Sequence, residues 1–260
     1  MIFLFILGTI VGSFLNVCIH RLPRGESIVF PASHCPQCGH KLSALDLLPV
    51  LSCLFLRGKC RYCRARISWR YPLVEMVTGL FFVTAALRVP WGSFDFFFAV
   101  IFLSLLVIIF FIDLENLVIP DLISFGGILW GLAYHYLLTF SATDKIAFSP
   151  WLSALIGLLA GYSLLYLIGL LGRIWFQQEA IGEGDLYLAA LLGACLGLEG
   201  VLLAVFLAYL VAGIVIAVLL AARRVKMGDY VPFGPALVAG GILTFYFKEQ
   251  ILGWYLRVFF

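Results

Sequence analysis

Runs of about twenty apolar residues with hardly a charge among them recur along the sequence, and a run of that length and character spans a bilayer as one helix. They restrict the fold more than any other feature. A segment in lipid must satisfy every backbone polar group internally, so only helices and closed barrels qualify. The runs are continuous rather than alternating, which selects helices over barrel strands. Composition agrees: of 260 residues, 63% are hydrophobic and 12% charged, at a mean hydropathy of +1.09. A water-exposed domain carries about twice that charge. The fold class expected is an all-α polytopic membrane protein.

The spans fall at about 1–19, 72–88, 96–112, 117–139, 151–172, 181–198, 200–222 and 232–247, about eight in all. The first lacks a basic leader and a small-residue cleavage site, and Arg21 and Arg24 follow it. It therefore reads as a retained helix rather than a signal peptide. Glu199-Gly200 separates two spans with almost no loop. The apolar run Leu186–Leu198 is too short to cross alone, so its helix must draw in part of Ile181–Asp185.

Lys and Arg set the orientation. The loop from His20 to Arg70 holds nine, against the acids Glu26 and Asp46. Arg173, Arg223, Arg224 and Lys226 share its side; Arg88, Lys145, Lys248 and Arg257 fall opposite. The loop is expected in the cytoplasm and both termini outside. Its basic charge reads as topological retention and contact with anionic lipid rather than nucleic-acid binding. Three domains follow: a first transmembrane helix at 1–19, a cytoplasmic loop domain at 20–71 and a membrane-embedded domain at 72–260.

Four cysteines in the loop pair as Cys35-Pro-Gln-Cys38 and Cys60-Arg-Tyr-Cys63. Two such knuckles suit a tetrahedral four-thiolate Zn²⁺ site. Gly39 favours the first turn, and Lys59, Arg61 and Arg64 offset the thiolate charge. Four protein ligands leave no open position, so the metal would be structural. The other reading is two redox or incidental pairs. His34 and His40 flank the first knuckle as loop residues, and Cys18, Cys53 and Cys195 read as ordinary buried thiols.

Acids within spans are costly and mark function. Asp113 ends one apolar span, Asp121 follows Ile119-Pro120, and Asp185 closes Gly182-Glu183-Gly184-Asp185 at the start of another. Two carboxylates that converge in a low-dielectric site share a proton. One can then activate water while the other polarises a peptide carbonyl. Gly182 and Gly184 would let a substrate strand approach. Asp185 could instead only cap a helix, whereas Asp113 sits at a helix C-terminus, where the dipole disfavours it. A carboxylate-dependent ion or metal transporter with a zinc-binding regulatory loop, or a non-enzymatic assembly factor, also fits paired acids.

Taken together the motifs resemble the type IV prepilin peptidase family, from Gly12 to about Gly234. They are Gly12-Ser-Phe-Leu-Asn16, Arg21-Leu-Pro23, the two cysteine pairs with Gly58-Lys59-Cys60, and Arg70-Tyr-Pro-Leu-Val-Glu75. Ile112-Asp113, Ile119-Pro120-Asp121, Gly182-Glu-Gly184-Asp185 and Pro232-Phe-Gly-Pro235 complete the set. The resemblance implies a bifunctional enzyme of the bacterial inner membrane, acting on type IV prepilins and pseudopilins. It would remove their leader at the cytoplasmic face and methylate the new N-terminus with S-adenosyl-L-methionine. By motif match Asp113 and Asp185 are the catalytic pair, with Gly182, Gly184 and Asp121 supporting. Gly58, Lys59 and Glu75 match motifs of the methyl-transfer region. The family often has Lys two residues after the Gly-x-Gly-Asp; here Tyr187 stands there.

Overall fold

The computed structural model describes residues 1–141, 149–177, 181–226 and 231–259. Lys145 lies outside the described residues. Among the described residues eight α-helices run α1 (Ile2–Arg21), α2 (Leu51–Phe55), α3 (Arg70–Arg88), α4 (Phe94–Asn116), α5 (Asp121–Ser141), α6 (Pro150–Phe176), α7 (Glu183–Ala221) and α8 (Gly234–Phe259). Among the described residues, six helical segments are long and apolar enough to cross a membrane: Ile2–Arg24, Arg70–Arg88, Phe94–Asn116, Asp121–Phe140, Pro150–Trp175 and Glu183–Ala221. The chain divides into two compact units, Met1–Ile112 and Asp113–Phe260, with the boundary inside α4.

In the first unit α1 packs on α3 through small residues. A Cβ on Gly8 would lie 2.8 Å from Gly79 Cα, and one on Gly12 2.7 Å from Glu75 Cα. Lipid supplies no hydrophobic force between helices, so such close backbone contact does the work. A buried amide adds to the seam: Asn16 Nδ2 donates to Tyr71 O at 3.0 Å and to Gly12 O at 3.3 Å. Arg21 is also buried. Its guanidinium donates to Ser27 O at 2.8 Å and Pro31 O at 2.7 Å, tying the start of the loop to the end of α1.

The second unit repeats the device more tightly. A Cβ on Gly193 of α7 would stand 2.0 Å from Gly157 O of α6, and one on Gly161 2.4 Å from Ala189 O. Further along α7, a Cβ on Gly240 of α8 would meet Ala204 O at 2.2 Å. Backbone cannot step aside as a flexible side chain can. Gly193→Ala is therefore expected to cost about 1–3 kcal/mol or more, read as a lower melting temperature in detergent, whereas Gly213→Ala, facing open space, should cost nothing measurable.

The helix α7 has 39 residues, about 58 Å at 1.5 Å per residue, against a hydrocarbon core of about 30 Å. It is interrupted at Gly197, where φ is 71° and ψ −177°. That region is essentially reserved for glycine. The interruption falls two residues before the Glu199-Gly200 boundary expected from sequence, because the apolar pattern runs on through Leu198 while the backbone breaks at Gly197. The break frees carbonyls of the preceding turn. His135 Nε2 lies 3.1 Å from Cys195 O and satisfies one of them. The start of α7 at Glu183 agrees with the expectation that this helix recruits residues before Leu186.

Candidate functional site

The second unit collects the acids. Asp113 lies in the last turn of α4, which continues to Asn116. Leu117, at φ 56°, closes that helix by donating its N–H to Asp113 O at 2.9 Å. The chain then turns through Ile119-Pro120 into α5, whose first residue is Asp121. Gly182 caps α7 with φ −74° and ψ 150°, so Asp185 occupies its third helical position.

Asp113 and Asp185 are each only 6% exposed and lie within electrostatic reach of each other. Each carboxylate faces one backbone N–H: Gly234 for Asp113 and Gly182 for Asp185. Asp185 stands in the first turn of α7, where a carboxylate suits the helix dipole, and it faces a second acid as well. Asp113 Oδ2 is buried and has no well-formed hydrogen bond among the described residues.

Glycines make the approach possible. A Cβ on Gly184 would stand 2.9 Å from Ile119 Cβ, so Gly184 admits the Ile119-Pro120 turn against α7. A Cβ on Gly234 would be 2.4 Å from Asp113 Oδ2. Gly234 belongs to a motif that sequence reading left without a role, and the contact gives it one: it is the wall on which Asp113 rests. Gly234→Ala should push that carboxylate out of place. Whatever reaction uses Asp113 is expected to slow at least tenfold, with the melting temperature lowered by only a few degrees; equal loss of both would make Gly234 a packing residue only.

The other expected positions divide. Asp121 is exposed and does not share the burial of the pair. Gly182 is exposed and its Cβ position lies 3.6 Å from Asp185 Oδ2. Tyr187 packs with its ring centroid 5.2 Å from Phe125 and 6.2 Å from Tyr162. The position expected to carry a cation is thus filled by an aromatic cluster of α5, α6 and α7. Tyr209 of α7 lies within electrostatic reach of Asp185 and stacks near Phe233 at 4.9 Å; nothing in its sequence context singled it out.

In the first unit the four cysteines come together. Their Sγ atoms all lie within 4.8 Å of one another. Cys35 Sγ and Cys63 Sγ are 3.8 Å apart, the edge of a tetrahedron whose metal–sulfur bonds are about 2.3 Å. The knuckles are alike in backbone. Cys35 N donates to His40 O at 2.9 Å and Gly39 N to Cys35 O at 2.8 Å; Cys60 N donates to Ala65 O at 2.8 Å and Arg64 N to Cys60 O at 3.1 Å. Gly39 takes φ 68° and Arg64 φ 62° at the same place in each turn. The set can hold a metal ion. His40 is not part of it and stacks on Tyr62 at 3.6 Å.

Thiol chemistry at the cluster is uneven. Burial pushes Cys35 up, but the N–H groups of Cys38 and Gln37 and the neighbouring thiols outweigh it and bring it down to about 7. Cys63 accepts the Ala65 N–H, which favours thiolate, yet desolvation and its three sulfur neighbours push it up to about 11. Asp46 braces the second knuckle. Its Oδ2 accepts from Ser43 Oγ at 2.7 Å and its Oδ1 from Arg61 Nε at 2.6 Å. These bonds, Ser43 foremost, hold it down at about 2. Cys18 and Cys195 are buried as expected; Cys53 is half-buried, because it sits on the short helix α2 over little structure.

Gly58, half-buried, and Lys59, exposed, follow α2. Gly58 takes φ 67° and its N–H donates to Cys53 O at 2.8 Å, ending that helix. Glu75 is elsewhere in the same unit, buried in α3, where its Oε2 accepts the Val50 N–H at 2.7 Å.

Residues 6–89 match the profile of the bacterial peptidase A24 N-terminal domain, and residues 100–218 that of the type IV leader peptidase family. A prepilin leader peptidase/N-methyltransferase of Aeromonas salmonicida is 34% identical over 97% of the chain and 92% of that protein. One of Bacillus subtilis is 34% identical over 98% of the chain and 97% of that protein. One of Myxococcus xanthus is 42% identical over 78% of the chain, which spans 58% of that protein. No solved structure matches the chain.

Proposed function

The chain belongs to the type IV leader peptidase family, whose members here are proteases that are also N-methyltransferases, and from that premise we propose that Asp113 and Asp185 are its proteolytic pair. The observation that carries this reading is their convergence: two buried carboxylates from helices 72 residues apart, within charge–charge range and backed by glycine. Two such acids cannot both ionise easily and so share a proton. The ionised member takes a proton from water as it attacks the scissile carbonyl. The protonated member donates a hydrogen bond to that carbonyl oxygen. Collapse of the tetrahedral adduct expels the amine of the mature N-terminus, which takes a proton from the pair. Gly182 and Gly184 leave room for the substrate strand, and Asp121 supports the site from outside. No feature of the comparisons favours a transporter.

The topology proposed has eight crossings. The halves of α7 on either side of Gly197 count separately, and α8 crosses as well. The loop of residues 20–71 then lies in the cytoplasm of the bacterial inner membrane, touching anionic lipid and no nucleic acid, with both termini outside and the remainder of the chain forming the peptidase domain. The four cysteines hold structural Zn²⁺. S-adenosyl-L-methionine supplies the methyl group, and Gly58, Lys59 and Glu75 belong to the methyl-transfer region. Substrates are type IV prepilins or pseudopilins. Mass spectrometry of a prepilin incubated with the purified enzyme, with and without S-adenosylmethionine, should show leader loss in both reactions. A gain of one methyl is expected only with the donor. An uncut substrate overturns the peptidase reading, and cleavage without methylation overturns the second activity.

A further inference from the structure

The seam between α1 and α3 buries polar groups that the proteolytic pair does not use. Glu75 is 7% exposed and Asn16 2% exposed. Around the Glu75 carboxylate stand the Val50 N–H, 2.7 Å from Oε2, and the side chain of Ser13. Ser13 and Asn16 are three residues apart and so share a face of α1. Gly12, beside Ser13, brings α1 to within contact of the Glu75 backbone. Asn16 spends its amide on Tyr71 O and Gly12 O. Tyr71 lies one helical turn before Glu75, so Asn16 sits beside that same stretch of α3. Its carbonyl Oδ1 is buried and meets no hydrogen-bond donor among the described residues.

A buried carboxylate and, about one helical turn along the same seam, a buried amide oxygen without a donor are costly for a fold alone. Packing does not require them. The two donors that reach Glu75 are neutral, a backbone N–H and a hydroxyl. What the group lacks is a cationic donor that would serve a carboxylate, a hydroxyl oxygen and an amide oxygen together. A primary ammonium offers three N–H donors. Ser13 and Val50 are both half-buried and form the edge through which such a ligand reaches the carboxylate.

We infer that Glu75, Ser13 and Asn16 form the acceptor site for the new N-terminal amine during methyl transfer, with Glu75 receiving the proton that the amine must shed. This rests on the methyltransferase reading and gives it a residue-level site. The ammonium gives one proton to the Glu75 carboxylate and so exposes its lone pair. That pair forms the N–C bond to the methyl of the sulfonium donor. The C–S bond breaks, its electrons remain on sulfur, and the donor leaves as a neutral thioether. The product is a methylated ammonium, and Glu75 returns its proton to water. An amine carried as a cation cannot attack, so a base at the amine is a requirement of the chemistry rather than an addition to it.

The variant Glu75→Gln separates this role from an anchoring one. Its amide oxygen still accepts the Val50 N–H and its volume is unchanged, so the anchor persists while the charge and the base are lost. The assay uses the full-length enzyme in detergent, a prepilin, and a pre-cleaved peptide with a free N-terminal phenylalanine. Expected results for E75Q are unchanged leader cleavage, unchanged binding of labelled S-adenosylmethionine, and methylation of the pre-cleaved peptide lowered at least about a hundredfold. Methylation by E75Q at the parent rate overturns the inference, as does equal loss of cleavage and methylation, which marks an anchor. Loss of donor binding alone overturns it too, by assigning the carboxylate to the cationic end of the donor. If the parent enzyme itself cleaves without methylating, the methyltransferase reading fails instead, a result visible before any variant is made.

Discussion

Leader cleavage is expected to fall by about a thousandfold or more in Asp113→Asn and, separately, in Asp185→Asn. Asparagine keeps the size of aspartate and keeps an oxygen. In Asp113→Asn that oxygen still faces the Gly234 N–H, and in Asp185→Asn the Gly182 N–H, as each carboxylate does now. Neither variant should therefore unfold, and the melting temperature in detergent serves as the control. What each loses is the ability to ionise or to carry the shared proton, and a pair needs one acid in each state. Methylation of a pre-cleaved peptide should persist in both, because its acceptor amine is already free. The double variant should be no worse than either single one, since members of a catalytic unit are not additive. Normal cleavage by either single variant would remove the pair from the chemistry.

The same two residues show how far the sequence could be read. Asp113 and Asp185 stood out because ionisable groups are rare in apolar helices, and rarity is visible in one dimension. Their meeting depends on Gly184, which admits Ile119, and Gly234, which backs Asp113. A glycine that serves another segment carries no local signature, so Gly234 had a motif and no role. Gly197 is invisible in the sequence for a related reason: a break made by backbone dihedrals leaves hydropathy unchanged, and the nearest charge, Glu199, marks the boundary instead. Tyr187 is the opposite case. Its departure from the family pattern was plain, but only its contacts with Phe125 and Tyr162 show that an aromatic cluster takes up the space. The cysteine knuckles were the most legible feature, since each is a local turn and four thiols at that spacing have few other uses.

Removing one of those thiols should have the largest structural effect in the chain. From Leu22 to Arg70 the only buried residues are Cys35 and Cys60. The segment exposes Phe30 at 76%, Phe55 at 82% and Trp69 at 81%, and it has no apolar core. Its order is expected to rest on a metal at the cysteines, on the Asp46 brace and on anchors such as Arg21. Structural zinc is worth about 10–16 kcal/mol to small domains of this kind, far more than the few hydrogen bonds that remain. Cys35→Ser should lower bound zinc well below one per chain by elemental analysis. Trypsin should then cut at Arg57, Lys59, Arg61, Arg64 and Arg66 while the spanning helices stay intact. Acid should act in the same direction as the substitution. Thiols must lose their protons to bind metal, and without metal Cys35 lies at about 7 and Cys63 at about 11. Zinc binding therefore releases protons, and affinity should fall more steeply as the pH drops below about 7, where Cys35 too is held by its proton. Full zinc content and trypsin resistance in Cys35→Ser would mean that the loop is ordered by something other than metal.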